Sequence, residues 1–134
     1  MQKTEAKARD KAKEKAFFMK LWNTLPQAAT KCFTDGSSYG NPGHAGLGYT
    51  FQVGARSYEG SRYLGETTNN VAELEGILDA CLRLEFEIRT GTIPRNQVFL
   101  FVDNQYAIKA AEGITHARTN KALIRRVRAA VNQL

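Results

Sequence analysis

The sequence has few of the features that mark secreted, membrane-spanning or zinc-binding proteins. It holds only two cysteines, Cys32 and Cys81, which lie far apart and without the ligand spacing of a zinc site. We therefore expect two core thiols in a reducing compartment. No apolar run approaches the roughly 20 residues needed to span a bilayer, and the N-terminus lacks the apolar core of a signal peptide. These absences predict an intracellular protein, cytoplasmic or in the nucleoid or nucleus, that is not secreted and has no membrane partner.

Two common classes of catalytic site are absent as well. No Ser-His-Asp set is evident, and the stretch GNPG at 40–43 lacks the lysine and the spacing of a phosphate-binding P-loop. What the sequence does have is a net charge of +6. This charge suits a polyanionic partner, because lysine and arginine that displace condensed counterions gain affinity for phosphate backbones. Charge alone favours nucleic acid only weakly, since many basic proteins bind none.

The chain divides into a charged N-terminal stretch and one domain. Residues 1–30 predict a helix rich in alanine and charge, with an apolar patch at 17–22, followed by a linker. Residues 31–134 are enough for one hydrophobic core. Predicted strands lie at 31–35, 45–53, 57–64 and 98–102, and predicted helices at 71–87, from about 105, and at 119–134. The order predicts an α/β fold, a mixed sheet with helices packed on it, in which the apolar strand 98–102 is central and covered on both faces.

Two acids follow apolar strands of the predicted sheet. Asp35 and Asp103 each come just past the C-terminal end of a strand. If those strands are parallel neighbours, the carboxylates meet at the sheet edge where open α/β folds usually bind ligands. Each aspartate would equally serve as a cap for the adjoining turn or helix. Two such acids after two core strands favour a site.

A third acid belongs to the first turn of the helix that opens TTNNVAELEG. Glu73 has the spacing of Ile77 and Cys81, on the face that packs on the sheet, whereas Glu75 lies on a solvated face. A packed carboxylate needs a partner or a metal, although it would also be favoured by the helix dipole alone. Three carboxylates without histidine or cysteine suit Mg²⁺ or Mn²⁺ rather than zinc. Two such ions about 4 Å apart can activate water against a phosphodiester.

Three stretches, FTDGSSYGNPGHAGLGY, TTNNVAELEGIL and FVDNQYAIK, resemble the three acidic motifs of type 1 ribonuclease H in order and spacing. The resemblance covers about residues 31–134 and does not separate cellular enzymes from ribonuclease H domains of retroelements. It implies the ribonuclease H-like fold, with three antiparallel strands and then a parallel one, here with an added N-terminal helix. It also implies an Mg²⁺- or Mn²⁺-dependent endonuclease that hydrolyses the RNA strand of RNA–DNA hybrids, leaving a 3′-hydroxyl and a 5′-phosphate.

The resemblance assigns roles to individual positions. It implies that Asp35, Glu73 and Asp103 are the catalytic, metal-binding carboxylates. The 2′-hydroxyls that distinguish the RNA strand lie in the wide, shallow minor groove of the hybrid, which short polar side chains can reach. The implied substrate-binding residues are all polar: Ser38, Asn41 and Gln105 at the minor groove, and Thr68, Asn69 and Asn70 at the phosphate backbone.

The chain departs from the family at both ends. We expect the family's fifth strand, mobile histidine loop and final helix, which carries a fourth metal-binding acid, to be missing after the helix at 119–134. The sheet edge this would expose and the N-terminal helix are both candidate surfaces for self-association. Residues 8–16 are similar to the family's final helix, so Asp10 is a hypothesis for the fourth acid, the alternative being a solvated charged helix. The alternative to an enzyme is a weak or inactive ribonuclease H-like module that binds nucleic acid or a protein partner.

Overall fold

The computed structural model describes residues 28–113 and 119–134, together with Lys20 and Thr24. Three strands, a helix, a strand and two helices follow one another in the order that the sequence predicts, and the α/β architecture is confirmed. The N-terminal helix and its apolar patch lie outside the described residues, and the domain division at residue 30 stays a prediction. The elements are β1 (Thr30–Gly40), β2 (Gly43–Val53), β3 (Arg56–Thr67), α1 (Asn69–Arg89), β4 (Val98–Val102), α2 (Gln105–Glu112) and α3 (Lys121–Asn132).

The four strands form one mixed sheet in the order β3-β2-β1-β4. β1 pairs with β2 and β2 with β3 in antiparallel fashion, while β4 runs parallel to β1. A two-residue link, with Gly54 at φ 59°, joins β2 to β3 as an antiparallel hairpin. The predicted arrangement of three antiparallel strands followed by a parallel one is therefore confirmed.

Two predictions about the strands are wrong in detail. β1 continues five residues beyond Asp35 to Gly40, so this acid lies inside the strand rather than past its end. The small residues after Asp35 stay extended because each has a partner on β2, from Gly36 opposite Leu47 onward. Likewise β4 was expected to be central, but within the described sheet it is an edge strand that pairs only with β1. Turn propensity and apolar character are local signals, and strand pairing overrides both.

The hydrophobic core lies between one face of the sheet and the helices. Cys32 and Phe51 pack against Leu84 of α1 in one cluster, and Val102 packs with the helices in a second. α1 crosses the sheet on this face, and α3 packs beside it. The alternate residues of β1, beginning with Phe33, point to the opposite face. No helix within the described parts of the chain is long and apolar enough to cross a membrane.

Candidate active site

The first turn of α1 lies directly against β1 at a glycine. A Cβ atom on Gly36 would stand 2.2 Å from the carbonyl oxygen of Ala72, and one on Gly76 would stand 3.4 Å from the carbonyl oxygen of Asp35. The atoms that would clash belong to the backbone and cannot rotate away, so helix and strand approach this closely only with glycine at position 36. The close approach sets Glu73 beside Asp35.

Glu73 is a buried carboxylate with incomplete hydrogen bonding. Its side chain is on the packed face of α1, as predicted, and the residue is 6% exposed. Its Oε2 atom is buried and has no hydrogen-bond partner. Burial is the main cause that raises the pKa of Glu73 to about 7, followed by the charge of Asp35 and, more weakly, that of Asp103, while a hydrogen bond from the Gly36 backbone acts in the opposite direction. Asp35 and Asp103 therefore both lie within electrostatic reach of Glu73.

Asp35 and Asp103 occupy adjacent positions on two parallel strands. The register pairs Thr34 of β1 with Val102 of β4, and each acid is the next residue of the chain, Asp35 within β1 and Asp103 just past the end of β4. Neighbouring strands are about 4.8 Å apart, so the two backbones are close at this level. Both acids are exposed. The sequence left open whether each acid caps the adjoining turn or helix. Asp35 lies within a strand. The cap of α2 is Asn104, whose Oδ1 accepts a hydrogen bond from Ala107 N at 2.8 Å.

The donor set fits a hard divalent cation. It consists of carboxylates, and the unpaired Oε2 of Glu73 is a buried acceptor that a cation would satisfy. Within residues 28–113 and 119–134, no group of three His, Cys, Asp or Glu side chains is already close enough to hold a metal ion. A cation would therefore have to draw the exposed side chains of Asp35 and Asp103 towards Glu73.

Four of the predicted substrate-binding residues meet where the β1–β2 turn touches the start of α1. Asn69 donates its backbone N–H to Oδ1 of Asn41 at 3.0 Å, and its own Oδ1 accepts from the backbone N–H of Ser38 at 3.3 Å. Thr68 caps α1 through Oγ1, which accepts from Val71 N at 3.2 Å. The turn is thus tied to the helix that carries Glu73. The hydroxyl of Ser38 is buried and has no partner.

The remaining predicted residues are more dispersed. Asn70 is exposed in the first turn of α1, and Gln105 is exposed as the first residue of α2, two positions after Asp103. Both lie around the same end of the sheet as the acids. Asp10 lies outside the described residues, so its role as a fourth acid stays a hypothesis.

Sequence reasoning missed the packing roles of Gly36 and Gly76 and the groove beside Asp35. The role of Gly36 depends on a contact between elements more than thirty residues apart in sequence. The groove has a volume of about 530 Å³ and runs over the open face of the sheet past Thr50, Glu59 and Ser61. Strand alternation could have placed Glu59 and Thr50 on that face, because they are register partners on β3 and β2.

Comparison with known proteins places the fold among ribonucleases H. The family model for RNase H matches residues 27–133. The ribonuclease H of Actinobacillus pleuropneumoniae is 35% identical over 83 residues, covering 62% of this chain and 47% of that protein. The one from a Sulfurovum species is 37% identical over 83 residues, covering 58% of this chain and 48% of that protein. The matches thus span about half the length of these curated relatives.

Solved structures show the same fold. The N-terminal ribonuclease H domain of a Mycobacterium tuberculosis protein superposes with a TM-score of 0.67 at 22% identity, covering 79% of this chain and 80% of that one. LC11-RNase H1, solved in complex with an RNA/DNA hybrid, gives 0.64 at 26% identity, covering 78% and 75%. The enzyme of Halobacterium salinarum gives 0.66 at 25% identity, covering 79% of each.

Proposed function

The chain belongs to the ribonuclease H family, and from that premise we propose that it is an endonuclease that hydrolyses the RNA strand of RNA–DNA hybrids with Mg²⁺ or Mn²⁺. The single observation that carries the proposal is the buried, incompletely bonded carboxylate of Glu73 beside Asp35 and Asp103. The hydrogen bond from the Gly36 backbone leaves Oε2 of this buried carboxylate unsatisfied, and a divalent cation would compensate it.

The three acids would hold the cations and keep them against the scissile phosphate. Divalent ions held there would supply an activated water and would stabilise the leaving oxygen of the phosphodiester. Glu73 is fixed by helix packing, so it would serve as the rigid ligand. Asp35 and Asp103 are exposed and would close on the cation as it binds. The Gly36 contact keeps α1 near enough for this closure.

The side-chain oxygens of Asn41 and Asn69 are engaged in the contact between the turn and α1, which leaves their NH₂ groups to donate to the nucleic acid. A backbone N–H can only donate, so the atoms that accept from Asn69 N and Ser38 N must be the oxygens of Asn41 and Asn69. Each amide then has its NH₂ group available for a phosphate or sugar oxygen. Asn70 and Thr68 extend this polar surface along α1, and Gln105 lies beyond Asp103. We assign Ser38, Asn41 and Gln105 to the minor groove and Thr68, Asn69 and Asn70 to the backbone.

The support for the substrate is the family itself and the solved complex of LC11-RNase H1 with an RNA/DNA hybrid. A second candidate function is a module that binds hybrid without cleaving it. It is favoured by the observation that, in the described residues, the three acids do not already form a closed metal cage.

One assay distinguishes these functions. A hybrid with a labelled RNA strand is incubated with the protein and Mg²⁺ or Mn²⁺, beside Asp103→Asn and the control Glu112→Gln, an exposed acid at the end of α2. We expect the wild-type protein and the control to cut the RNA internally and leave 5′-phosphate ends. Asp103→Asn should reduce the cleavage rate at least about 100-fold, since mutating even the groups that only support metal ligands typically reduces activity 10–100-fold. Binding without cleavage by the wild-type protein would favour the module, and neither activity would refute both.

A further inference from the structure

The helices α1, α2 and α3 pack together against one face of the sheet, and the opposite face of β1 and β4 carries phenylalanine side chains. Phe33 of β1 and Phe101 of β4 are register partners on this face. Phe99 lies two residues before Phe101 on β4, so strand alternation places it on the same face. Neither core cluster contains any of the three. Phe33 is 42% exposed. We call these three residues the phenylalanine row.

The phenylalanine row is already partly covered. Phe101 is only 7% exposed although it belongs to neither core cluster. Groups outside the two clusters therefore surround its ring. An aromatic side chain buries a large apolar area and accounts for much of the stability of a packed surface. A row of them on one sheet face predicts a packed partner rather than water.

We propose that residues 17–22 of the same chain dock on the phenylalanine row. This stretch, FFMKLW, contains Phe17, Phe18, Leu21 and Trp22. It is the apolar part of the N-terminal region that precedes β1, and β1 begins at Thr30 on the strand that carries Phe33.

The connecting chain is long enough for this docking. Thr24 is helical, and residues 25–29 between it and β1 span at most about 16–18 Å when extended. Phe33 lies three residues from the start of β1, about 10 Å along the strand. The apolar stretch can therefore turn back onto the face of its own sheet without help from a second molecule.

Charge favours the same placement. The groove that continues from Phe33 is bounded by the acids Asp35 and Glu59, both exposed. Residues 1–20 contain seven lysines and arginines against three acids. Docking of residues 17–22 on the phenylalanine row brings this basic stretch near the acidic groove, where opposite charges attract across the surface.

The test uses Trp22, which is the only tryptophan of the chain. Its emission and its quenching by acrylamide report directly on whether residues 17–22 are covered. We compare the wild-type protein with Phe33→Asp and with the control Phe86→Asp, which changes a phenylalanine of similar exposure (49%) on the far side of the sheet, in α1. We expect blue-shifted, poorly quenched emission in the wild type and the control, and a red shift with several-fold stronger quenching in Phe33→Asp.

Far-UV circular dichroism shows whether each variant is folded. If Phe33→Asp fails to fold, the double variant Phe17→Ser/Phe18→Ser is used instead, because it leaves the sheet residues unchanged. It should show the same red shift and stronger quenching. Emission of the wild type that matches a free tryptophan amide would overturn the proposal. So would a blue shift that disappears on dilution over about a hundredfold range of concentration, because docking would then occur between two copies of the chain.

Discussion

Replacing Glu73 by glutamine should stabilise the metal-free protein at alkaline pH. The pKa of Glu73 is raised from 4.5 to about 7, so the folded state holds the proton more tightly than the unfolded state does. A raised pKa contributes stability that is fully present below about 4.5 and is lost as the pH rises towards 7. Above pH 7 the folded protein carries the full cost of a buried charge, which glutamine does not have.

The magnitude follows from the size of the shift. A change of about 2.5 units corresponds to roughly 3 kcal/mol at 1.36 kcal/mol per unit, or about 2–3 kcal/mol after an allowance for solvent screening. For a domain of this size that is a rise of roughly 5–12 °C in Tm. Glutamine has the same shape as protonated glutamic acid, so the two proteins should have similar stability near pH 4.5.

The assay is urea unfolding with EDTA at pH 4.5, 6 and 8, followed by circular dichroism. Glu75→Gln is the matched control, because Glu75 lies two residues further along α1 but forms an ion pair with Arg62 at 3.0 Å. Loss of this ion pair should lower the free energy of unfolding by at most about 1 kcal/mol. The reasoning about Glu73 is refuted if Glu73→Gln is no more stable than the wild type at pH 8, or if an equal gain persists at pH 4.5.

The other predictions concern the backbone contact, the turn and the metal. Gly36→Ala should displace α1 and slow hybrid cleavage about 100-fold, since a misplacement of about 1 Å can cost that much. The control is Gly48→Ala, whose Cβ would have no neighbour nearer than 3.8 Å; it should unfold at the wild-type urea midpoint. Equal losses of cleavage rate in Gly36→Ala and Gly48→Ala would contradict the expectation. Asn69→Ala should raise KM and lower stability by about 1 kcal/mol, because it removes the Oδ1 that accepts a hydrogen bond from Ser38 N. The exposed Asn70→Ala should leave the urea midpoint unchanged, and equal midpoints in the two variants would rule this out. EDTA should abolish cleavage until Mg²⁺ or Mn²⁺ is added in excess, and cleavage that survives chelation would exclude the metal mechanism.

The elements of the fold were readable from the sequence because their signals are local. The helical spacing of Leu74, Ile77 and Cys81 identified α1 and the face that carries Glu73, and the apolar run 98–102 gave the bounds of β4. The extension of β1 through Gly36 and Ser37 was not readable, because only pairing with β2 keeps such residues extended.

The acids were easier to locate than the contacts that hold them. Their positions follow from strand order and helix phase, which a single sequence carries. The close packing at Gly36, where an added Cβ atom would stand 2.2 Å from the carbonyl oxygen of Ala72, depends on how two distant segments meet. So does the hydrogen bond from Asn69 N to Asn41 Oδ1. A glycine in a strand signals a close approach in general, but it does not say to which residue.

The most direct test is a crystal structure of the protein with Mn²⁺, with the metal located by its anomalous scattering. We expect a peak bound by carboxylate oxygens of Asp35, Glu73 and Asp103, with Glu73 Oε2 among the ligands and the peak lost in Glu73→Gln. A peak held by other residues, or full occupancy without Glu73, would contradict the assignment of these three acids as the metal site.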